Sequence, residues 1–160
     1  MSNTPSTDSL TPHQRVATSL LRQGMMQHLG VQLVAVAPGE CVLVLPYSDK
    51  VTQQQGGFHG GAMGALADIA GGYAALTVAP EGMEVTTVEY KINFLAAFQG
   101  GQLRATGKVL KAGKRIIVTQ AVVVHVSDDG RETDCAVMQQ TLVPVLKEPL
   151  QNPMRDLTPR

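Results

Sequence analysis

Asp68 is the only charged residue between Ala62 and Ala79, a stretch in which almost every other residue is apolar or tiny. An unpaired charge among apolar groups is costly, so such a carboxyl must be paired, solvated in a cleft or shifted in pKa. A shifted carboxyl in a cleft is equipped to act as base or nucleophile. An Asp that merely bonds a nearby backbone or hydroxyl group is the structural alternative. Just upstream stands His59-Gly60-Gly61, where a helix over this stretch must begin. The first N–H groups of a helix have no internal partners and lie at the positive end of its dipole. With no side chain at Gly60, a ligand oxygen can reach those donors, as in an oxyanion hole for a carbonyl. The plainer reading is two glycines that relieve crowding at a turn. Asp68 lies nine positions after His59, which is roughly 13 Å of axial rise and two and a half turns. One helix therefore cannot bring its Asp68 to its own Gly60 donors. Two antiparallel helices related by a two-fold axis can do so twice, and the expectation is an obligate dimer with composite sites.

The elements that must hold these groups follow from pattern. Thr11-Pro12 reads as a helix start, with Thr11 as N-cap and Pro12 at N1. Val16, Leu20, Leu21 and Met25 follow at helical spacing, with Arg15, Ser19 and Arg22 opposite, so a single amphipathic helix ending near Gly30 is expected. Residues 31–36 and 41–45 read as short strands about the turn pair Pro38-Gly39. The near-uniform apolarity of Ala62–Ala79 predicts a helix enclosed on nearly all sides. It is long enough to span a membrane, but Asp68, Gly64, Gly71 and Gly72 favour a helix wrapped by a sheet. Four strands are expected after it, over 85–95, 103–110, 116–126 and 133–145. Gly100-Gly101, Ala112-Gly113 and Asp129-Gly130 separate them, which predicts a four-stranded antiparallel meander. Residues 1–9 read as a flexible N-terminal tail, 10–146 as one domain, and 147–160 as a loose C-terminal tail.

Composition removes other classes of function. The formal charge is zero at pH 7 and Trp is absent, so nothing favours nucleic-acid or membrane-surface binding. Cys41 and Cys135 stand apart, which argues against a zinc or dithiol site and for small buried side chains. His13, His28, His59 and His125 lack the short spacings of a metal site. No Gly-x-Ser-x-Gly elbow is present, which disfavours a serine hydrolase mechanism. The N-terminus shows no basic and apolar leader pattern, so a cytoplasmic protein is expected.

The run Phe58-His59-Gly60-Gly61-Ala62-Met63-Gly64-Ala65-Leu66-Ala67-Asp68 resembles the central-helix motif of the hotdog-fold thioesterases, nearest to the phenylacetate-pathway (PaaI-like) and 4-hydroxybenzoyl-CoA thioesterase-related types. The segment Thr86 to Leu95 is similar to the strand that follows that helix, and Gly101, Leu103, Ala105, Val109 and Gly113-Lys114 to the next hairpin. The resemblance spans roughly residues 30–143. It implies an α+β hotdog fold, a curved antiparallel sheet wrapped around a long central helix, and a homodimer that pairs further into a dimer of dimers. It also implies hydrolysis of an acyl-coenzyme A thioester, with no cofactor beyond the coenzyme A of the substrate and no metal.

By the same resemblance Asp68 falls on the nucleophile or general base, Gly60 on the residue whose N–H polarises the carbonyl, and His59 on the histidine that shapes the turn. Gln53 falls where the family orients reacting groups, and Thr87 on a Ser/Thr position near the attacking water. Some relatives carry Ser or Thr four residues after the carboxylate; here that residue is Gly72, which leaves water positioning to Thr86 or Thr87. Lys108, Lys111, Lys114 and Arg115 cluster at a predicted hairpin where they could meet the coenzyme A phosphates, or simply face water. Met63, Leu66 and Phe94 are the expected lining of the acyl pocket. Two other activities use such a cavity. A hydratase or dehydratase needs a second acid or base that the chain does not offer near Asp68, and a non-catalytic acyl-CoA sensor has no need of Asp68.

Overall fold

The structure, a computed structural model, describes residues 10–147. The tail expected at 1–9, and all but Lys147 of the tail expected at 147–160, lie outside the described residues; Lys147 donates its backbone N–H to the Gly82 carbonyl at 3.2 Å.

Helix α1 (Pro12–Leu21) begins as its sequence demands. Thr11 accepts from the Gln14 N–H at 3.2 Å, Gln14 returns the bond to the Thr11 N–H at 3.0 Å, and Pro12 occupies the first turn. The helix does not run on to Gly30. Gln23 is extended (φ −90°, ψ 98°) and starts a second helix, α2 (Gly24–Leu29), which Gly30 closes at φ 83°. That break resets the helical phase. Val16, Leu20 and Met26 are buried, while Leu21 and Met25, expected on the apolar face, are 74% and 59% exposed.

Arg15 and Ser19, expected to face solvent, turn instead toward the central helix α3 (Gly60–Val78). The Arg15 guanidinium donates to the carbonyls of Leu76 and Ala79 at 3.2 Å and of Pro80 at 3.4 Å, and also to that of Met83. It thereby satisfies acceptors that a helix C-terminus leaves orphaned, and does so with a cation at the negative end of the dipole. Arg15→Ala should lower the unfolding free energy by about 1.5–3 kcal/mol, measured by urea denaturation. A loss within a few tenths of a kcal/mol would mean that water replaces the clamp.

Strands β1 (Gln32–Ala37), β2 (Glu40–Pro46), β3 (Met83–Phe94), β4 (Gln102–Ala112), β5 (Ile117–Val126) and β6 (Glu132–Leu146) form one antiparallel sheet in the order β1-β2-β4-β5-β6-β3. Every strand touches α3, so the sheet wraps the helix as the resemblance implies. The expected meander is corrected in one respect. β3 pairs with β6, and β4 pairs with β2 on its other side, so the chain crosses from one edge of the sheet to its interior between Phe94 and Gln102. Gly100 and Gly101 (φ 73° and 61°) turn the chain into β4 at the end of that crossing rather than closing a hairpin. Alternation does the rest: Ile117, Thr119, Ala121, Val123 and His125 of β5 all point inward. The helix α3 is the one described helix long and apolar enough to cross a membrane, and most of it is enclosed by the sheet. Cys41 and Cys135 are both fully buried, and burial pushes their thiols up to about 12 and about 11.

Candidate active site

Asp68 leaves α3 on the side covered by β3 and β6. Its Oδ1 accepts the Thr87 hydroxyl at 2.8 Å and also the side-chain amide of Gln140. That amide nitrogen lies 2.9 Å from Thr87 Oγ1 and 3.2 Å from the Asp68 carbonyl. Gln140 in turn accepts the Thr119 hydroxyl at 2.9 Å through Oε1. Gln140 and Thr119 are fully buried register partners on β6 and β5. Burial pushes the Asp68 carboxyl above its ordinary value of 3.8, and the hydrogen bonds from Thr87 and Gln140 pull it partly back.

Asp68 and Thr87, both named from the sequence, stand together in the structure; Gln140 and Thr119 are not among the residues the sequence points to. A signal was present. Met138, Gln140 and Leu142 share one strand parity, as do Ile117, Thr119 and Ala121, so each polar residue sits on the inward, apolar phase. Gly71 makes room for them. A Cβ there would lie 2.3 Å from Gln140 Oε1 and 2.7 Å from Thr119 Oγ1.

Asp68 opens onto a cleft of about 120 Å³, lined also by Gly72 and Leu76 of α3, Val85 and Thr87 of β3, and Ser19 of α1. The Tyr73 hydroxyl fastens α1 beside this cleft, accepting from Gln23 Nε2 at 2.7 Å and donating to Ser19 Oγ at 3.2 Å. Met63 and Leu66, expected to line an acyl pocket, are buried in the core and are not among the residues that line this cleft.

The other group of expected residues gathers at the start of α3. His59 is the N-cap, and its Nδ1 accepts the Gly61 N–H at 2.7 Å. Gln53 closes the preceding turn, where its backbone N–H bonds the Gly57 carbonyl at 2.9 Å and its side-chain oxygen accepts from Gln55. Phe58 packs edge-on against Tyr47, and the Phe58 N–H bonds the Phe98 carbonyl at 2.9 Å. His125 stacks on Phe98 at 4.3 Å and bonds the Gly100 carbonyl at 2.9 Å. The turn is thus braced by Tyr47, by Phe98 and, through Phe98, by His125 of β5. The Gly60 N–H has no acceptor among the described residues. The Phe94 ring lies over Gly60, 3.4 Å from where a Cβ would stand, and is itself 52% exposed.

The structure therefore gathers these residues into two separate clusters, Asp68–Thr87–Gln140 and His59–Gly60–Phe94. Eight helical residues, about 12 Å of rise, separate Asp68 from Gly60 in one chain. Lys108 lies 3.4 Å from Glu40, while Lys111, Lys114 and Arg115 are exposed at the β4–β5 turn; none of the four lines the Asp68 cleft. Among the described residues no group of His, Cys, Asp and Glu is placed to hold a metal ion.

The raised Asp68 pKa has a consequence for stability. The folded carboxyl holds its proton to higher pH than the unfolded one, so its contribution is full below about pH 3.8 and is lost as pH rises through the raised value. Asp68→Asn carries no charge to bury. Its melting temperature should gain on that of the native protein as pH is raised above 4; a constant difference across pH would contradict the shift.

A family profile described as thioesterase superfamily matches residues 55–132, which include every member of the two clusters except Gln140. A 1,4-dihydroxy-2-naphthoyl-CoA hydrolase of Listeria monocytogenes is 31% identical over 113 residues, covering 70% of this chain and 89% of that protein. A Saccharolobus solfataricus protein provisionally named an esterase is 38% identical over 96 residues, 60% of this chain and 68% of that one. The crystal structure of a thioesterase family protein from Silicibacter pomeroyi superposes with a TM-score of 0.81 at 35% identity, covering 84% of this chain and 98% of that chain. The E. coli PaaI protein shares the fold at a TM-score of 0.74 and 21% identity, covering 84% of this chain and 93% of that chain.

Proposed function

Because this chain belongs to the thioesterase superfamily and is a thioester hydrolase, we propose that it cleaves acyl-coenzyme A to a free acid and coenzyme A at a site shared by two protomers. One observation carries this reading. Asp68 is held ready in a cleft, yet the free Gly60 amide that would polarise a carbonyl lies about 12 Å along the same helix. A second copy can supply the missing half.

The free edge of the sheet supports that arrangement. β3 is a twelve-residue edge strand, and Val88, Tyr90 and Phe94 on it are 60%, 44% and 52% exposed. Long apolar edges invite pairing, and two β3 strands related by a two-fold axis would continue the sheet and cover these side chains. Sedimentation should give a mass of at least twice the 17.0 kDa chain. A dimer of dimers fits the same reading.

At the shared site the Gly60 N–H and the dipole of α3 stabilise charge growing on the thioester oxygen. Asp68 of the partner takes a proton from a water that attacks the carbonyl carbon, and as the C–S bond breaks that proton passes to sulfur, which leaves as the coenzyme A thiol. On the covalent route Asp68 attacks instead, the thiolate leaves and takes a proton from solvent, and water then hydrolyses the acyl-aspartyl anhydride to the free acid and restores the carboxylate. Thr87 lies beside the attacking group. His59 and Gln53 hold the turn that presents Gly60. Phe94 excludes water from one side, and Lys108, Lys111, Lys114 and Arg115 remain candidates for the phosphates of coenzyme A. The name of the Listeria relative supports a coenzyme A thioester as substrate. The test is release of free thiol from a panel of short, long and aromatic acyl-CoAs. Turnover of at least one is expected; binding without release, or hydration of an enoyl-CoA, would overturn the reading.

A further inference from the structure

We propose that Gln140, held by Thr119, is a positioning residue that fixes the Asp68 carboxylate so that Oδ2 is the atom that reacts. This rests on the hydrolytic reading above. Both donors to the carboxyl, the Thr87 hydroxyl and the Gln140 amide, fall on Oδ1, and no described residue bonds Oδ2. An ionised carboxylate has acceptor capacity on both oxygens. Loading one of them with two donors locks the rotation of the group and leaves the lone pairs of the other for a water proton or a carbonyl carbon.

The orientation of the Gln140 amide decides the matter. The carboxylate only accepts, so Nε2 faces Asp68, and the Thr119 hydroxyl completes that orientation by donating to Oε1 at 2.9 Å. Reversed, the amide would present its oxygen to an anionic carboxylate. Gly71 is the third part of the device, because the amide occupies the space that any side chain at position 71 would fill. Gln140 and Thr119 are fully buried and Gly71 is buried, and beyond each other and Asp68 the two polar side chains reach only Thr87 Oγ1, 2.9 Å from Gln140 Nε2. Polar groups are costly at such depth unless bonded. A Leu or Met at 140 would fill the space without that demand, so packing alone gives no reason for an amide.

The device also governs the protonation of Asp68. Donors to the charged form favour it, and burial and these hydrogen bonds are the only causes of its shift. Of the elements packed around the carboxyl, α3 presents Tyr73 and β3 presents Glu84 as titratable groups at the same cleft. Ser19 of α1 and Gln23, the N-cap of α2, do not titrate, and neither do Thr119 of β5 or Gln140 and Leu142 of β6.

The experiment is the pH dependence of kcat/KM and kcat on whichever acyl-CoA the native protein turns over fastest, for Gln140→Met and Thr119→Val. Both should move the acid limb to higher pH, Gln140→Met further. On the alkaline side of that limb Gln140→Met should lower kcat by about 10–10²-fold, with KM changed far less. Gln140→Asn, a shorter amide, should recover less than the native rate but shift the limb less than Met does. An acid limb that stays in place in Thr119→Val and Gln140→Met, with any loss of rate matching a loss of folded protein, would overturn the proposal. If Gln140→Met does not fold, Thr119→Val decides alone, since Val matches Thr in shape. Absence of turnover in the native protein would instead refute the hydrolytic reading. In that case the Asp68 carboxyl, titrated by carbon NMR in native protein and Thr119→Val, still reports whether the amide controls it.

Discussion

Asp68→Asn should reduce kcat/KM for acyl-CoA by about 10²–10⁴-fold, the range that a positioned general base contributes. The substitution is conservative for the fold. The Asn carbonyl oxygen can take the place of Oδ1 and accept from Thr87 and Gln140, so the buried donors keep a partner. What is lost is the charge and the basic lone pair at the second oxygen. Binding of acyl-CoA should survive, because no part of the Gly60 half-site is altered. Circular dichroism and sedimentation matching the native protein, together with loss of thiol release, would separate chemistry from folding. Retention of a tenth or more of native activity would remove Asp68 from the mechanism.

Gly107→Ala is expected to be strongly destabilising although it adds a single methyl. A Cβ at 107 would lie 2.2 Å from the Ala70 carbonyl oxygen and 2.6 Å from the Gly71 nitrogen. Both atoms are backbone of α3, so no side chain can swing aside. Either β4 or α3 must move, and α3 carries Asp68 two residues from the contact. A loss of about 3 kcal/mol or more follows from overpacking against backbone, along with loss of activity in whatever folds. Gly72→Ala is the control: its Cβ would meet only Leu142 at 3.9 Å, and a helix gains about 0.8–1 kcal/mol from Gly to Ala. Urea denaturation of the pair should give opposite signs. Equal stability for Gly107→Ala and the native protein would mean that the helix and β4 are not in such close contact.

Much of this was readable from residues alone because single positions carried unusual physical demands. A carboxyl in an apolar helix is conspicuous, and so are two glycines at its start; Thr11-Pro12 likewise fixes the beginning of α1. The strand order was not readable. Turn glycines at 100 and 101 announce a change of direction, but nothing local distinguishes a hairpin from a crossing into the interior of a sheet. The break at Gln23 was hidden for a related reason: α2 keeps apolar residues close to the spacing of α1, and only the tertiary fit decides that Met26 rather than Met25 is buried. Gln140 and Thr119 were legible only in the parity of their strands. Their meaning depends on a helix facing them across 72 residues of sequence in the case of Gln140 and Asp68.

The central claim is that a carboxylate and an amide from different protomers make one site, and mixed dimers test it directly. Gly60→Pro deletes the amide hydrogen at a position where Pro is tolerated, since it is the first helical residue and His59 before it is extended (φ −70°, ψ 134°). Gly60→Pro and Asp68→Asn homodimers should both be inactive. A dimer holding one chain of each, purified on two different tags, should recover about half of native activity, because one of its two sites combines an intact Asp68 with an intact Gly60 from the other chain. A mixed dimer as inactive as its parents would show that each chain works with its own residues, and would contradict the account.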